Sequence, residues 1–307
     1  MPARTDIDTR HEAAERNYEL PIGTVECTVV SDGSYAYPDP GRAFFANADE
    51  DELATVLEGY GIDPASWETY VSPYPCLVLR TADHTVLVDT GGGDLGEHTG
   101  KLQSNLRAVG VDPAAIDRVL LTHVHPDHVG GTLDADGAPA FPNAQYLVPD
   151  REHEFWLTDP DLSELQVPDH VKEAMITFAE TNVRPLGEAG RLDRLPDGPT
   201  EIVPGVRTLP APGHTPGHVA VEVTSEGETF LYLVDLVIFP AQIERPDWYA
   251  AFDLDPTTLV DSRRTLLERA VAEDALVMAQ HFPTPGLGHV ERTDTAYEWE
   301  PLSGTNE

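Results

Sequence analysis

The chain reads as an α/β protein. Apolar runs that end in single polar residues alternate along it with segments of helical spacing. An apolar fraction of 40% over 307 residues is enough for a large core. The runs closing at Asp89, Thr122, Asp235 and His281 read as buried strands carrying a functional group at the tip. The pattern alone gives α/β and no finer architecture.

In chain order, residues 1–20 are polar and patternless and read as a loose arm. Thr24 to Val30 alternates as a strand. Asn47 is placed to cap a helix running through Asp49, Glu50, Asp51 and Glu52 to Leu57, and acids in a first turn suit the helix dipole. Cys76 to Arg80 and Thr85 to Asp89 are expected to pair across Ala82, Asp83 and His84. Gly91, Gly92 and Gly93 open a turn that lacks the lysine of a phosphate-binding loop. Leu102 to Val109 is a helix and Val119 to Thr122 a strand. Between Pro149 and Leu186 the residues Phe155, Trp156, Leu162, Leu165, Met175, Ile176 and Phe178 recur at near-helical spacing. Two readings of that stretch stay open, a cap over a site or part of the core. Ile202 to Asp235 is rich in strands, and Pro256 to Ala272 is a helix with Leu259, Leu266, Leu267 and Val271 on its apolar side. Residues 21–307 are expected to form one domain, with the insertion at 150–186.

The segment Thr122-His-Val-His-Pro-Asp-His-Val-Gly-Gly131 carries the chemistry. Imidazoles at 123, 125 and 128 and a carboxylate at 127 stand within six positions, a density that metal binding demands. In extended chain His123 and His125 point to one side. Asp127 and His128 are adjacent and reach a common centre only through a turn. The reading is one metal held by the first pair and a second by Asp127 and His128. A site for two metals needs more donors, and they stand at later strand ends: His214 in the loop Ala211-Pro-Gly-His-Thr-Pro-Gly-His218, Asp235 and His281.

Composition narrows the function classes. Acids number 54 against 19 basic residues, for a net charge of −35, and the only lysines are Lys101 and Lys172. A surface so rich in carboxylates suits concentrated salt, where the Debye length falls to about 3 Å at 1 M. No basic groove is visible to meet the phosphates of a nucleic acid or an anionic membrane. Cys27 and Cys76 lie in apolar runs, fit no disulfide framework and read as core. A charged N-terminus and the lack of a long apolar run point to the cytoplasm.

These motifs resemble the metallo-β-lactamase-fold hydrolases, in family order, from about Thr24 to about Arg292. The resemblance implies an αββα sandwich, two mixed β-sheets between helix layers. It implies a first metal on His123, His125 and His214, a second on Asp127, His128 and His281, and Asp235 bridging both. Asp89 then orients the central loop and His218 is structural or supports the ligands from behind. Asp stands at 235 where some lactamase classes carry Cys, which argues against antibiotic hydrolysis as the main activity. His125 departs from the flavodiiron proteins, and after His281 only 26 residues follow, with Arg292 their single basic residue, unlike glyoxalase II. Arg245 to Asp253 and His281 to Val290 look like the lactonase, arylesterase and organophosphate-hydrolase branch.

The implied function is a binuclear hydrolase whose metal-bridging hydroxide cleaves a neutral ester, lactone or phosphotriester, with Asp127 and Asp235 catalytic. The implied cofactors are two divalent ions, zinc first, with manganese, iron or cobalt as alternatives. Phe155, Trp156, Trp248, Tyr249 and Phe282 are the candidates for an apolar pocket wall. A homodimer joined by the N-terminal arm is a further expectation. Two other functions remain: a mononuclear iron dioxygenase of the persulfide type, and a metal-binding sensor without catalysis.

Overall fold

The structure is a computed structural model that describes residue 11, residues 16–294 and residues 296–302. Among the described residues, fourteen strands form two sheets of seven. The first holds β1 (Tyr18–Ile22), β2 (Val25–Pro38), β3 (Thr69–Arg80), β4 (Thr85–Val88), β5 (Arg118–Leu120), β6 (Gln145–Pro149) and β7 (Leu192–Leu195) in that spatial order. The second holds β8 (Thr200–Val203), β9 (Val206–Pro210), β10 (Val219–Ser225), β11 (Glu228–Tyr232), β12 (Leu276–Met278), β13 (Leu287–Arg292) and β14 (Tyr297–Pro301). Both sheets are mixed. β4 to β7 run parallel in the first, and β11 pairs parallel with β12 in the second.

Side chains alternate across a strand, so each sheet has two faces to bury. Cys27, Leu77, Leu79, Val86 and Leu120 of the first sheet meet Val221, Val223, Phe230 and Met278 of the second, forming the core between the sheets. The opposite face of the first sheet, with Cys76, Val78, Leu87 and Val119, packs on Leu102, Leu106, Trp156 and Met175 from helices. The opposite face of the second, with Leu209, Ala220, Leu231 and Val277, packs on Leu259, Leu266 and Leu267 of the helix Pro256–Ala272. This is the expected four-layer αββα sandwich. The two cysteines sit on opposite faces of one sheet as free thiols, and burial pushes Cys27 up to about 12.

Local differences from the sequence reading have physical causes. β3 begins seven residues before Cys76, at Thr69, because Pro73 and Pro75 meet β2 around its bulge between Ser31 and Ser34. Asp49, not Asn47, caps the helix Glu50–Gly59, accepting from the Asp51 and Glu52 amides. Asn47 instead ties down a distant loop: its amide bonds the Asp247 carbonyl and the Tyr249 N–H. Of the arm at 1–20, residues 18–20 belong to β1, and residues 1–10 and 12–15 lie outside the described residues. The stretch 150–186 folds as helices joined by a loop; Trp156, Met175 and Leu186 of the helices and Leu162 and Leu165 of the loop join the outer core of the first sheet. Among the described residues, no helix is long and apolar enough to cross a membrane.

Candidate metal centre

Every segment that carries a predicted donor leaves the C-terminal end of a strand. Asp89 follows β4, the His-rich loop follows β5, His214 follows β9, Asp235 follows β11 and His281 follows β12. Loops at that edge of parallel strands form crevices, and here the crevice collects imidazoles and carboxylates.

The His-rich loop makes its turn at Pro126. His125 is still extended, and Pro126 opens a short helix, Pro126–Val129, at the position where proline lacks no bond. The turn brings Asp127 and His128 into a second cluster, with the His128 ring still 4.0 Å from that of His123. The glycines that follow let the loop seat closely: a Cβ on Gly130 would lie 2.1 Å from the Gly92 carbonyl oxygen.

Two donor clusters result. His123, His125 and His214 form one, and Asp127, His128, Asp235 and His281 form the other, with donor atoms within 4.8 Å of one another in each. Asp235 faces both. Its Oδ2 lies 3.4 Å from His214 Nε2, 4.0 Å from His123 Nε2 and 3.0 Å from His281 Nε2, and its Oδ1 lies 3.3 Å from His128 Nε2. Asp127 Oδ2 lies 3.4 Å from His281 Nε2. His123 Nε2, His128 Nε2 and Asp235 Oδ1 are buried without a hydrogen bond among the described residues. Buried polar atoms left bare cost about 1–3 kcal/mol each. Nitrogen and carboxylate donors converging in that state fit two divalent cations.

The rear nitrogens are held. His128 Nδ1 lies 2.8 Å from Asp89 Oδ2, while Asp89 also accepts from the Thr122 amide and hydroxyl, each at 2.8 Å. Asp89 adopts φ 61, a left-handed conformation costly for a residue with a Cβ, so the surrounding contacts enforce it. His214 Nδ1 lies 2.7 Å from Asp253 Oδ1, and His281 Nδ1 lies 2.9 Å from Ser72 Oγ. Such partners fix the tautomer and aim Nε2 at the centre. His218 belongs to neither cluster. It bonds the Ala211 carbonyl through Nδ1 and receives the Asp235 amide at Nε2, so it steadies the backbone under Asp235. Burial depresses its pKa to about 3.

Charge is unevenly distributed in the crevice. Burial and neighbouring imidazoles hold His123 and His125 well below the ordinary range, so they are neutral donors. Burial alone would depress His128 too, but the Asp235, Asp127 and Asp89 carboxylates outweigh it and hold His128 high. Asp235 is held well below the carboxylate range, because His281 and His128 overcome its own desolvation.

Sequence reasoning missed Ser72, Asp253 and Glu152. Glu152 is fully buried in the first turn of the helix Asp150–Thr158. It accepts from the Val124 amide at 3.1 Å, the Gly217 amide at 2.7 Å and Trp156 Nε1 at 2.9 Å. It thereby joins the His123–His128 loop to the His214–His218 loop. The space is tight, since a Cβ on Gly217 would lie 2.6 Å from the Glu152 amide nitrogen.

The proposed pocket wall needs correction. Trp156, Trp248 and Phe282 are buried core residues, and Tyr249 packs partly buried on the second sheet's outer core. Helical spacing reports a buried face and does not separate lining from core. Phe155 is half-buried and lines a cavity of about 430 Å³ with Arg151, Glu154, Pro212, Gly213 and Leu254. Two aromatics that the sequence reading passed over, Tyr37 and Tyr74, flank His281 of the second cluster instead, and Phe44 and Phe252 pack behind Tyr37.

Comparison with known proteins agrees with this fold. The N-acyl homoserine lactonase AiiA of Bacillus thuringiensis subsp. kurstaki is 25% identical over 230 residues, covering 68% of this chain and 81% of that protein. The structure of AidC, described as a dizinc quorum-quenching lactonase in complex with a product, superposes with a TM-score of 0.85 at 26% identity, over 96% of this chain and all of that one. A hydrolase in the beta lactamase superfamily, AbOPH, gives a TM-score of 0.82 at 27% identity, over 94% of this chain and 98% of that one. Residues 69–281 match the metallo-beta-lactamase superfamily, and the chain belongs to it.

Proposed function

We infer that this chain, a metal-dependent hydrolase, opens neutral lactones with two zinc ions, and that N-acyl homoserine lactones are its substrate class. The observation that carries this is the Asp235 carboxylate, which faces imidazoles of both donor clusters at 3.0–4.0 Å. The lactonase relatives, one described as dizinc, support the substrate and the metal. His123, His125 and His214 would hold one cation, Asp127, His128 and His281 the other, with Asp235 shared. When bound, the cations supply an acidified water and polarise the substrate carbonyl.

The chain's own residues do the rest. Asp89, Ser72 and Asp253 keep imidazole Nε2 atoms aimed inward. Asp127 is the most accessible of the clustered donors, at 8% exposure, and stands where it can pass a proton to the leaving alkoxide. A neutral substrate also avoids repulsion by a protein of net charge −35.

The test combines metal analysis with turnover. Protein purified without chelator should contain about two zinc ions per chain and hydrolyse N-hexanoyl homoserine lactone. Chelation should abolish that activity and zinc should restore it. One iron per chain, with oxygen consumed alongside a persulfide, would replace this reading with the dioxygenase. Full metal loading without turnover of any lactone, ester or phosphotriester would leave the sensor.

A further inference from the structure

We propose that the Tyr37 hydroxyl donates a hydrogen bond to the reacting carbonyl oxygen of the substrate, and that Tyr74 holds it there; this rests on the lactone reading above.

The strand geometry puts both phenols beside the second donor cluster. β2 and β3 pair antiparallel, with Tyr35 opposite Ser72 and Tyr37 opposite Tyr70. Directly paired residues share a face, and residues 70, 72 and 74 alternate onto that face. Two of them are committed to His281: the Tyr70 hydroxyl donates to its carbonyl at 2.7 Å, and Ser72 Oγ bonds its Nδ1 at 2.9 Å. Tyr74 is the next along the face. Its ring centroid lies 5.6 Å from the His281 imidazole, and its hydroxyl lies 2.8 Å from that of Tyr37. The Tyr37 ring lies 6.4 Å from the same imidazole, backed by Phe44 at 5.3 Å and Phe252 at 6.0 Å.

Proton counting gives this pair a function. Two phenols carry two hydroxyl protons, and the bond between them uses one. Neither hydroxyl makes another hydrogen bond among the described residues. One donor is therefore left over. Tyr74 is 1% exposed and enclosed, whereas Tyr37 is half-buried and so the one within reach of a ligand. The arrangement that uses both protons has Tyr74 donating to Tyr37 and Tyr37 donating outward. An ester oxygen that gains negative charge during attack is the acceptor such a fixed donor serves.

The test uses the zinc-loaded full chain and the variants Tyr37→Phe, Tyr74→Phe and the double variant. The substrate is N-hexanoyl homoserine lactone, and the ring-opened N-hexanoyl homoserine serves as a ligand for calorimetry. Tyr37→Phe should lower kcat by about a hundredfold, as loss of one such donor does. It should weaken product binding by about tenfold, with zinc content and melting temperature unchanged. Tyr74→Phe should cost less, about tenfold, and the double variant should be no worse than Tyr37→Phe, because the two act through one proton. A Tyr37→Phe enzyme within twofold of the parent in kcat and in product affinity would overturn the proposal and leave the lactone reading intact. A loss that tracks zinc content or melting temperature would also overturn it, by showing a structural role alone. A zinc-loaded parent that opens no lactone would sink both readings together.

Discussion

The crevice has a floor and a wall, and they are built differently. The floor is the set of seven clustered donors, all buried, and in His128, His214 and His281 the nitrogen behind the donor is held by a second residue. The wall is aromatic, half-buried at Tyr37, Phe155 and Phe252, and held largely by ring contacts. A ligand-binding floor tolerates little displacement, because donor direction sets metal affinity. A wall of rings can shift by a rotamer and still exclude water. The floor is therefore expected to determine whether the reaction occurs, and the wall which acyl group is accepted.

The comparison breaks if floor substitutions act gently. Asp235→Asn removes a charge shared by both clusters. It should reduce kcat/KM by more than about a thousandfold and lower zinc per chain, beyond the ten- to hundredfold seen when only an outer partner is lost. Asp127→Asn keeps a donor oxygen but removes the proton carrier. Its kcat should fall about a hundredfold with KM little changed; an unchanged kcat would remove Asp127 from proton transfer. Asp253→Ala and Ser72→Ala free the rear nitrogens of His214 and His281. Each should weaken zinc binding by about tenfold in a chelator competition, and equal affinity to the parent would mean that packing alone orients those rings.

The difference between floor and wall also explains what could be read from the sequence. His123, His125, Asp127 and His128 stand in one loop, so their chemistry is visible as spacing. Asp89, His214, Asp235 and His281 each close an apolar strand, which marks them one by one. Ser72 and Tyr74 were hidden because Pro73 and Pro75 obscure the strand that aligns them. Glu152 looked like one more acid in a first helical turn, where a carboxylate needs no further reason. Asp253 became a support for His214 only through tertiary contact, 39 positions away in sequence. The wall was misread because a tryptophan in a helical stripe has the same pattern whether it faces a core or a cavity.

Surface charge gives a weaker contrast between the buried centre and the exterior. With a net charge of −35, the folded chain repels itself at low salt. Raising potassium chloride from 0.1 M to 2 M should increase the melting temperature by several degrees, since screening reaches about 3 Å near 1 M. Zinc affinity of the buried clusters should change far less. A melting temperature that stays flat or falls would reject salt adaptation.

Phe155 and Trp156 give the finest version of the comparison, because they are neighbours on one helix, their ring centroids 5.2 Å apart, and differ in burial. Trp156 is fully buried, its ring centroid 5.4 Å from that of His125 and its Nε1 bonded to Glu152. Trp156→Ala should cost about 3–5 kcal/mol of stability and loosen the loop clamp at Glu152. Phe155 faces the cavity beside Gly213 and Leu254. Phe155→Ala should leave the melting temperature within a few degrees and kcat unchanged, and raise KM for long acyl chains by only a few-fold, the scale of a methylene or two lost from an apolar contact. A KM that rises equally for short and long chains would mean that this cavity does not receive the acyl tail. A fall in kcat would mean that the helix steers the donor loops through both of its faces, and the separation of floor from wall would fail at this point.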